Sequence, residues 1–182
     1  MTMRAGINID GELKEKLSEQ TFVYHRGINK RIRLETTFSD RFPAGGERAL
    51  IDGITGSENH RDGNWQGYEG DDLIVVIDLR QEAGLHKISA RFLQNTDASI
   101  FLPSEVRIDL SRDGEHFETA ATLSNDVSLR KSGPTIQEFS HYLSGKRSRF
   151  IRIFARSIGV CPDWHTNAGN KSWLFSDEII IQ

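Results

Sequence analysis

From residue 31 onward the chain repeats one pattern, short runs in which apolar side chains alternate with polar ones. Ile32 and Leu34 stand against Arg31, Arg33 and Glu35 in the run 31–36. Ile88, Ala90 and Phe92 alternate with Lys87, Ser89 and Arg91, and Val106, Ile108 and Leu110 with Arg107, Asp109 and Ser111. Ile151, Ile153 and Ala155 alternate with Arg152, Phe154 and Arg156. A period of two puts neighbouring side chains on opposite faces of a β-strand. Each such strand has one face to bury, and an opposing sheet is what buries it. Residues 73–79, LIVVIDL, are almost continuously apolar and β-branched, which predicts an interior strand covered on both faces. A last apolar run, 179–182, follows Glu178.

Turn signals separate the runs. Asp113-Gly114 is a strong hairpin dipeptide because both residues tolerate positive φ. Asp52-Gly53, Asp62-Gly63 and Gly133-Pro134 punctuate the rest. Many short strands with no sustained helical period predict an all-β sandwich over 31–182. Residues 1–30 read as a lead-in. Within them only residues 11–20, GELKEKLSEQ, have a helical composition, so a short polar turn of surface helix or a linker is expected there. Residues 1–11 contain no apolar stretch of the secretory type, so an export signal would lie outside this chain.

Composition narrows the classes of function. Twenty-three basic against 26 acidic residues give a net charge of -3, which argues against a phosphate backbone as the main partner. No run approaches the ~18 apolar residues of a membrane span. The single cysteine, Cys161, excludes an intrachain disulfide. There is no Gly-x-Ser-x-Gly elbow, zinc-binding His-Glu-x-x-His or phosphate-binding glycine loop. The six histidines, His25, His60, His86, His116, His141 and His165, show no ligand spacing. No paired-carboxylate cleft is legible, so the expectation is a domain that is not itself an enzyme.

Two loops are long for a domain of this size, 53–72 and 157–171, and loops of such length tend to carry function. In the first, Asp52, Ser57 and the turn carbonyls between them make an oxygen-rich stretch suited to a hard cation. The same aspartate also fits an Asp-Gly turn in which it caps its own backbone. In the second, Trp164 sits among Asp163, His165 and Asn167, the mixture of ring face and polar groups that holds a sugar. Trp164 equally suits a plug at the end of a sandwich, and Trp173, just before the final run, suits the plug better.

Taken in order, Ala49-x-x-Asp52-Gly53, Trp65, Asp78-Leu79, Phe92-Leu93, Pro103-x-x-Val106, Ser111-x-Asp113-Gly114-x-x-Phe117, Phe150-Ile151-Arg152-Ile153 and Glu178-Ile179 resemble the coagulation factor 5/8 type C (discoidin-like) domain, which overlaps the family 32 carbohydrate-binding modules. Residues 65–70 and 159–165 are similar to the carboxy-terminal accessory domain of Bacteroidetes β-N-acetylhexosaminidases, or putative chitobiases. The resemblance implies a galactose-binding-domain-like jelly-roll β-sandwich that binds its ligand through loops at one end. It also implies a structural calcium ion, held by Asp52, Ser57, Glu178 and the carbonyls of Ala49 and Thr55, that staples the first long loop to the last strand. The expected ligand contacts are Trp164, His165, Asn167, Gln94, Asn95, His60 and Trp65. The loop after Phe92 lacks the arginine and asparagine that many galactose-binding members place there.

The resulting expectation is a non-catalytic carbohydrate-binding module of a glycoside hydrolase, directed at an N-acetylhexosamine- or galactose-containing glycan. Its parent protein would be periplasmic, extracellular or at the cell surface, with neither nucleic acid nor membrane insertion involved. The alternative is a structural domain that packs on its own catalytic domain and binds no sugar.

Overall fold

The computed structural model describes residues 2–9 and 12–182, with side chains described from residue 21. Twelve strands follow in chain order: β1 (Thr2–Ile9), β2 (Glu12–Phe22), β3 (Arg31–Leu34), β4 (Ile54–Thr55), β5 (Gln66–Glu69) and β6 (Leu73–Gly84), then β7 (Lys87–Gln94), β8 (Glu105–Ser111), β9 (Glu118–Ser124), β10 (Thr135–Tyr142), β11 (Arg147–Arg156) and β12 (Trp173–Ile181). Nine of them form the sandwich, a five-stranded sheet in the order β3-β6-β11-β8-β9 and a four-stranded sheet in the order β10-β7-β12-β5, and β1, β2 and β4 form a three-stranded sheet in the order β1-β2-β4. All strand pairings within the two sheets are antiparallel.

The core lies between these sheets. Leu73, Val75, Ile77 and Leu79 of β6, Ile151, Ile153 and Ala155 of β11, and Val106 and Ile108 of β8 face Ile88, Ala90 and Phe92 of β7 and Leu174, Ile179 and Ile181 of β12. The period-two alternation therefore marks the inward face correctly in β7, β8 and β11. β6 is buried on its outer face too at Val76, which stands in register with Arg33 and Arg152. Long arginine stems cover apolar surface while keeping their charge in water, which suits a strand that alternation alone would leave half exposed.

Three strands had no clear pattern in sequence. β5 is only four residues, and β9 lies at the edge of its sheet with mostly exposed side chains. β10, also at an edge, buries Phe139 alone. The helix expected over 11–20 does not form. Residues 12–20 belong to β2, which pairs with β1 and then with β4 through Thr21↔Thr55 and Phe22↔Ile54, and Gly11 lies outside the described residues. A short polar segment gains little as an isolated helix, so pairing with neighbouring strands overrides its local preference.

Ile153 sits mid-sheet, paired with Val75 and Ile108 and fully shielded from water. Ile153→Ala is expected to lower unfolding stability by about 2–5 kcal/mol, through lost burial plus the cavity left behind. A urea titration followed by tryptophan fluorescence measures it, and a midpoint equal to wild type would count against this packing.

Candidate functional site

The site is organised by β12, which is buried along its whole length yet carries two consecutive acids, Asp177 and Glu178. Consecutive strand residues ordinarily point to opposite faces. Here the register between β12 and β7 slips between Ser176 and Ile179, where one extra residue makes a β-bulge. A bulge re-aims side chains, and both carboxyl groups reach the first long loop. Glu178 Oε2 accepts from the Gly53 backbone N–H at 2.7 Å, and Asp177 Oδ2 accepts from the Gly56 N–H at 2.8 Å. Arg91 of β7 completes the link, 3.1 Å from Asp177 and donating to the Gly56 carbonyl at 3.3 Å. Gly53 needs its lack of a side chain, with φ at 84° and Phe22 where a Cβ would stand. Gly56 needs it because the Trp65 ring lies against it.

His25 closes the cluster on the other oxygen of Glu178, at 2.9 Å through Nε2. Its Nδ1 accepts from the backbone N–H groups of Gly27 and Ile181, at 3.1 and 3.3 Å. A nitrogen that accepts carries no proton, so the ring is neutral and its one proton is on Nε2, donated to Glu178. Burial agrees, pushing the His25 pKa down to about 4. Burial, with the neighbouring Asp52 charge, raises Glu178 to about 9, and burial raises Asp177 to about 7 against the opposing pull of Arg91.

These contacts bear on the residues expected to hold calcium. Asp52 and Glu178 are neighbours, but Glu178 has an N–H donor on each oxygen, and Asp52 Oδ1 accepts from the Ile54 N–H at 2.8 Å in the self-capping turn. Ser57 turns away: its hydroxyl donates to Asp62 at 2.8 Å. Ala49, whose carbonyl was expected to contribute, lies in a short 3-10 turn, and Thr55 pairs with Thr21 where β4 meets β2. No three His, Cys, Asp or Glu side chains among the described residues are grouped to hold a metal. As placed, the Ser57 hydroxyl and both oxygens of Glu178 are engaged by protein partners, so these side chains of the expected calcium set already have hydrogen bonds within the chain. Protein donors staple this loop to β12. The adjacent acids of an otherwise apolar strand were the sequence signal for this cluster. His25 and Arg91 left none.

The far end of the sandwich is where β7 and β11 finish and β12 begins. An aromatic cluster of Trp65, Trp173 and Phe175, with Leu93, Ile100 and Phe42, plugs it. Trp65 is 1% exposed, and its indole N–H donates to the Ser57 carbonyl at 2.9 Å, so it supports the site from beneath. Trp173 is the plug that its position suggested. Gln94 is fully buried and donates to the Ser128 carbonyl, which takes it out of the ligand set as a direct contact.

The turn 95–99 joins the two long loops. Asn95 meets His60 of the first loop, its amide nitrogen 3.4 Å from Nδ1. His165 of the second loop reaches the Thr96 carbonyl at 2.7 Å, and the Asn167 amide donates to the Ser99 hydroxyl at 3.0 Å. His165 also accepts from the Asn167 N–H, so both of its ring nitrogens are committed to holding the loop. Trp164 is 38% exposed, with the Arg130 guanidinium 4.6 Å from its ring centre and its edge packed on Phe101 and His165.

Beside His60 opens a cleft of about 480 Å³ lined by Arg41, Phe42, Pro43, Ala44, His60, Arg61, Gly63 and Trp65. Arg61 Nε donates to His60 Nε2 at 3.2 Å, and burial and that cation hold the His60 pKa below its ordinary value. Sequence reasoning missed Arg41 and Phe42, because nothing local ties residues 41–44 to residue 60. A larger cleft of about 650 Å³ lies along the β8–β9 hairpin, lined by charged and polar residues such as Arg112, Asp113, His116 and Glu118, with no tryptophan, tyrosine or phenylalanine among them.

Solved structures share this fold at low sequence identity. A Streptococcus pneumoniae fucose binding module, SpX-3, aligns with a TM-score of 0.53 at 20% identity, over 88% of this chain and 98% of that one. The lectin domain of Lectinolysin, complexed with Lewis B antigen, gives 0.55 at 13% identity over 88% and 97%. A Clostridium perfringens CBM32 module, in complex with GalNAc-β-1,3-galactose, gives 0.54 at 14% identity over 86% and 96%. The chain therefore has the galactose-binding-domain-like jelly-roll sandwich of CBM32 modules and discoidin-like lectin domains. No protein-family model and no curated protein matches the sequence.

Two predictions follow from the β12 cluster. An acid whose pKa rises on folding contributes stability that is complete below its unfolded pKa and is lost as pH climbs through the folded value. For Glu178 that window runs from about 4.5 to about 9, each pKa unit being worth about 1.4 kcal/mol. His25 works oppositely, its contribution present above 6.5 and lost toward about 4. Between pH 6.5 and 9 urea midpoints should therefore fall, and Glu178→Gln should flatten most of that slope. Second, the melting temperature should be the same with excess chelator and with added calcium. A rise of several degrees with calcium would restore the cation.

Proposed function

We propose that this domain is a non-catalytic carbohydrate-binding module that takes a glycan in the loop-end cleft beside His60. The observation that carries the reading is that cleft itself. An apolar wall of Phe42 and Pro43 meets His60, itself in contact with Asn95, and two arginines. An apolar face against sugar C–H bonds with a few fixed polar groups around it is what a saccharide site requires. The glycan complexes of Lectinolysin and the Clostridium module, on the same fold, support this reading.

Such a module does no chemistry. It keeps an attached enzyme near its substrate by raising local concentration, and the residue pattern at 65–70 and 159–165 favours a β-N-acetylhexosaminidase-like glycoside hydrolase as that enzyme, secreted or held at the cell surface. Trp164 flanks the cleft across the 95–99 turn as a secondary platform, because Arg130 already occupies part of its surface.

A glycan array followed by calorimetric titration tests the reading. His60→Ala should weaken binding of the best glycan by about tenfold or more, the loss of one well-placed polar contact and its packing. Trp164→Ala should cost less, about threefold. Absence of binding across a broad array that includes N-acetylhexosamine, galactose and fucose oligosaccharides would favour a domain that only packs on its neighbour.

A further inference from the structure

We propose that the saccharide accepted by the loop-end cleft carries an acidic group, a uronate carboxylate or a sulfate ester, with Arg41 and Arg61 as its partners. This rests on the carbohydrate reading above and adds the class of sugar.

The cleft lining contains two arginines and a histidine and no aspartate or glutamate. Neither arginine makes an ion pair with any described residue. Arg61 uses only Nε, on His60, and its terminal nitrogens stay available. Arg41 lies over the Trp173 and Phe42 rings, 5.3 and 5.9 Å from their centres, which positions its guanidinium without neutralising it. Asp62 is the acid next in sequence to Arg61, and its two oxygens accept from Ser57 and from the Asn64 N–H.

Several arginines elsewhere on this domain have acidic partners. Arg149 meets Asp78, Arg152 meets Asp109, and Arg91 meets Asp177. Arg41 and Arg61, neither of them in an ion pair, share one cleft with an apolar wall. A guanidinium presents a planar fork that matches a carboxylate or a sulfate. The net charge of -3 does not oppose this, because a local cluster of one sign sets the field in a cleft. A neutral sugar would fill the same walls and leave both cations unanswered.

The experiment titrates the full chain with matched pairs. One arm uses oligouronates, mannuronate and galacturonate, against their carboxyl-reduced forms. The other uses sulfated galactose and N-acetylgalactosamine oligosaccharides against desulfated forms. The expected result is a preference of at least tenfold for the acidic member in one arm, which also identifies the carboxylate or the sulfate as the source. That preference should weaken when salt rises from about 50 to about 500 mM, fall about tenfold in Arg61→Gln, and return in part in Arg61→Lys. Loss of packing alone would not follow charge in this way. Equal binding of acidic and neutral members, with Arg61→Gln unchanged, would overturn the acidic ligand and leave the carbohydrate reading standing. Binding to neither member of any pair, nor to the broader array, would overturn both.

Discussion

The arrangement of the loop end depends on two buried carboxyl groups that a β-bulge turns to the same side of β12. Asp177 and Glu178 bond the backbone of Gly56 and Gly53, and so fix the start of the loop that later delivers His60 and Arg61. Burying acids is costly unless their oxygens are satisfied. The main-chain N–H groups of Gly53 and Gly56, with His25 and Arg91 as side-chain partners, satisfy both oxygens of Glu178 and Oδ2 of Asp177, while Asp177 Oδ1 is buried without a hydrogen bond. Loop position and carboxyl burial are thus coupled.

From that anchor the geometry follows outward. Gly56 lets Trp65 lie against the backbone, and the Trp65 N–H holds the Ser57 carbonyl. Trp65, Trp173 and Phe175 fill the end of the sandwich and give the loops a rigid floor. His60 is then set against Asn95, and the turn 95–99 carries the contact on to His165 and Asn167 of the second long loop. Binding residues placed on loops over a packed sandwich are supported by the core without being part of it.

Much of this was legible from residue order. Period-two alternation located β7, β8 and β11 because each has one core face, and the apolar run located β6 because arginine stems cover its second face. Edge strands such as β9 and β10 bury little and leave little pattern. The segment 12–20 read as helical because its composition is helical, whereas its pairing with β1 is a tertiary fact. Among candidate site residues, sequence offered His60 and Asn95, which the fold brings together. It also offered Trp65 and Gln94, whose polar or aromatic character suggested exposure, yet the fold buries both. Arg41 and Phe42 enter the cleft from residues remote in sequence, and spacing holds no trace of that approach. Glu178 was visible, but its partners and the neighbouring Asp177 were not, and the nearest analogy for it was a metal.

The account rests on the loop-end cleft as the binding surface, and backbone amide shifts report most directly where a ligand contacts the chain. Recording 15N-1H spectra during titration with a bound oligosaccharide should move the amides of Arg41, Phe42, Ala44, His60, Arg61, Gly63 and Asn95. The hairpin around Arg112, Asp113 and His116 should stay unperturbed. Shifts confined to that hairpin, or to the outer face of the five-stranded sheet, would contradict the placement of the site.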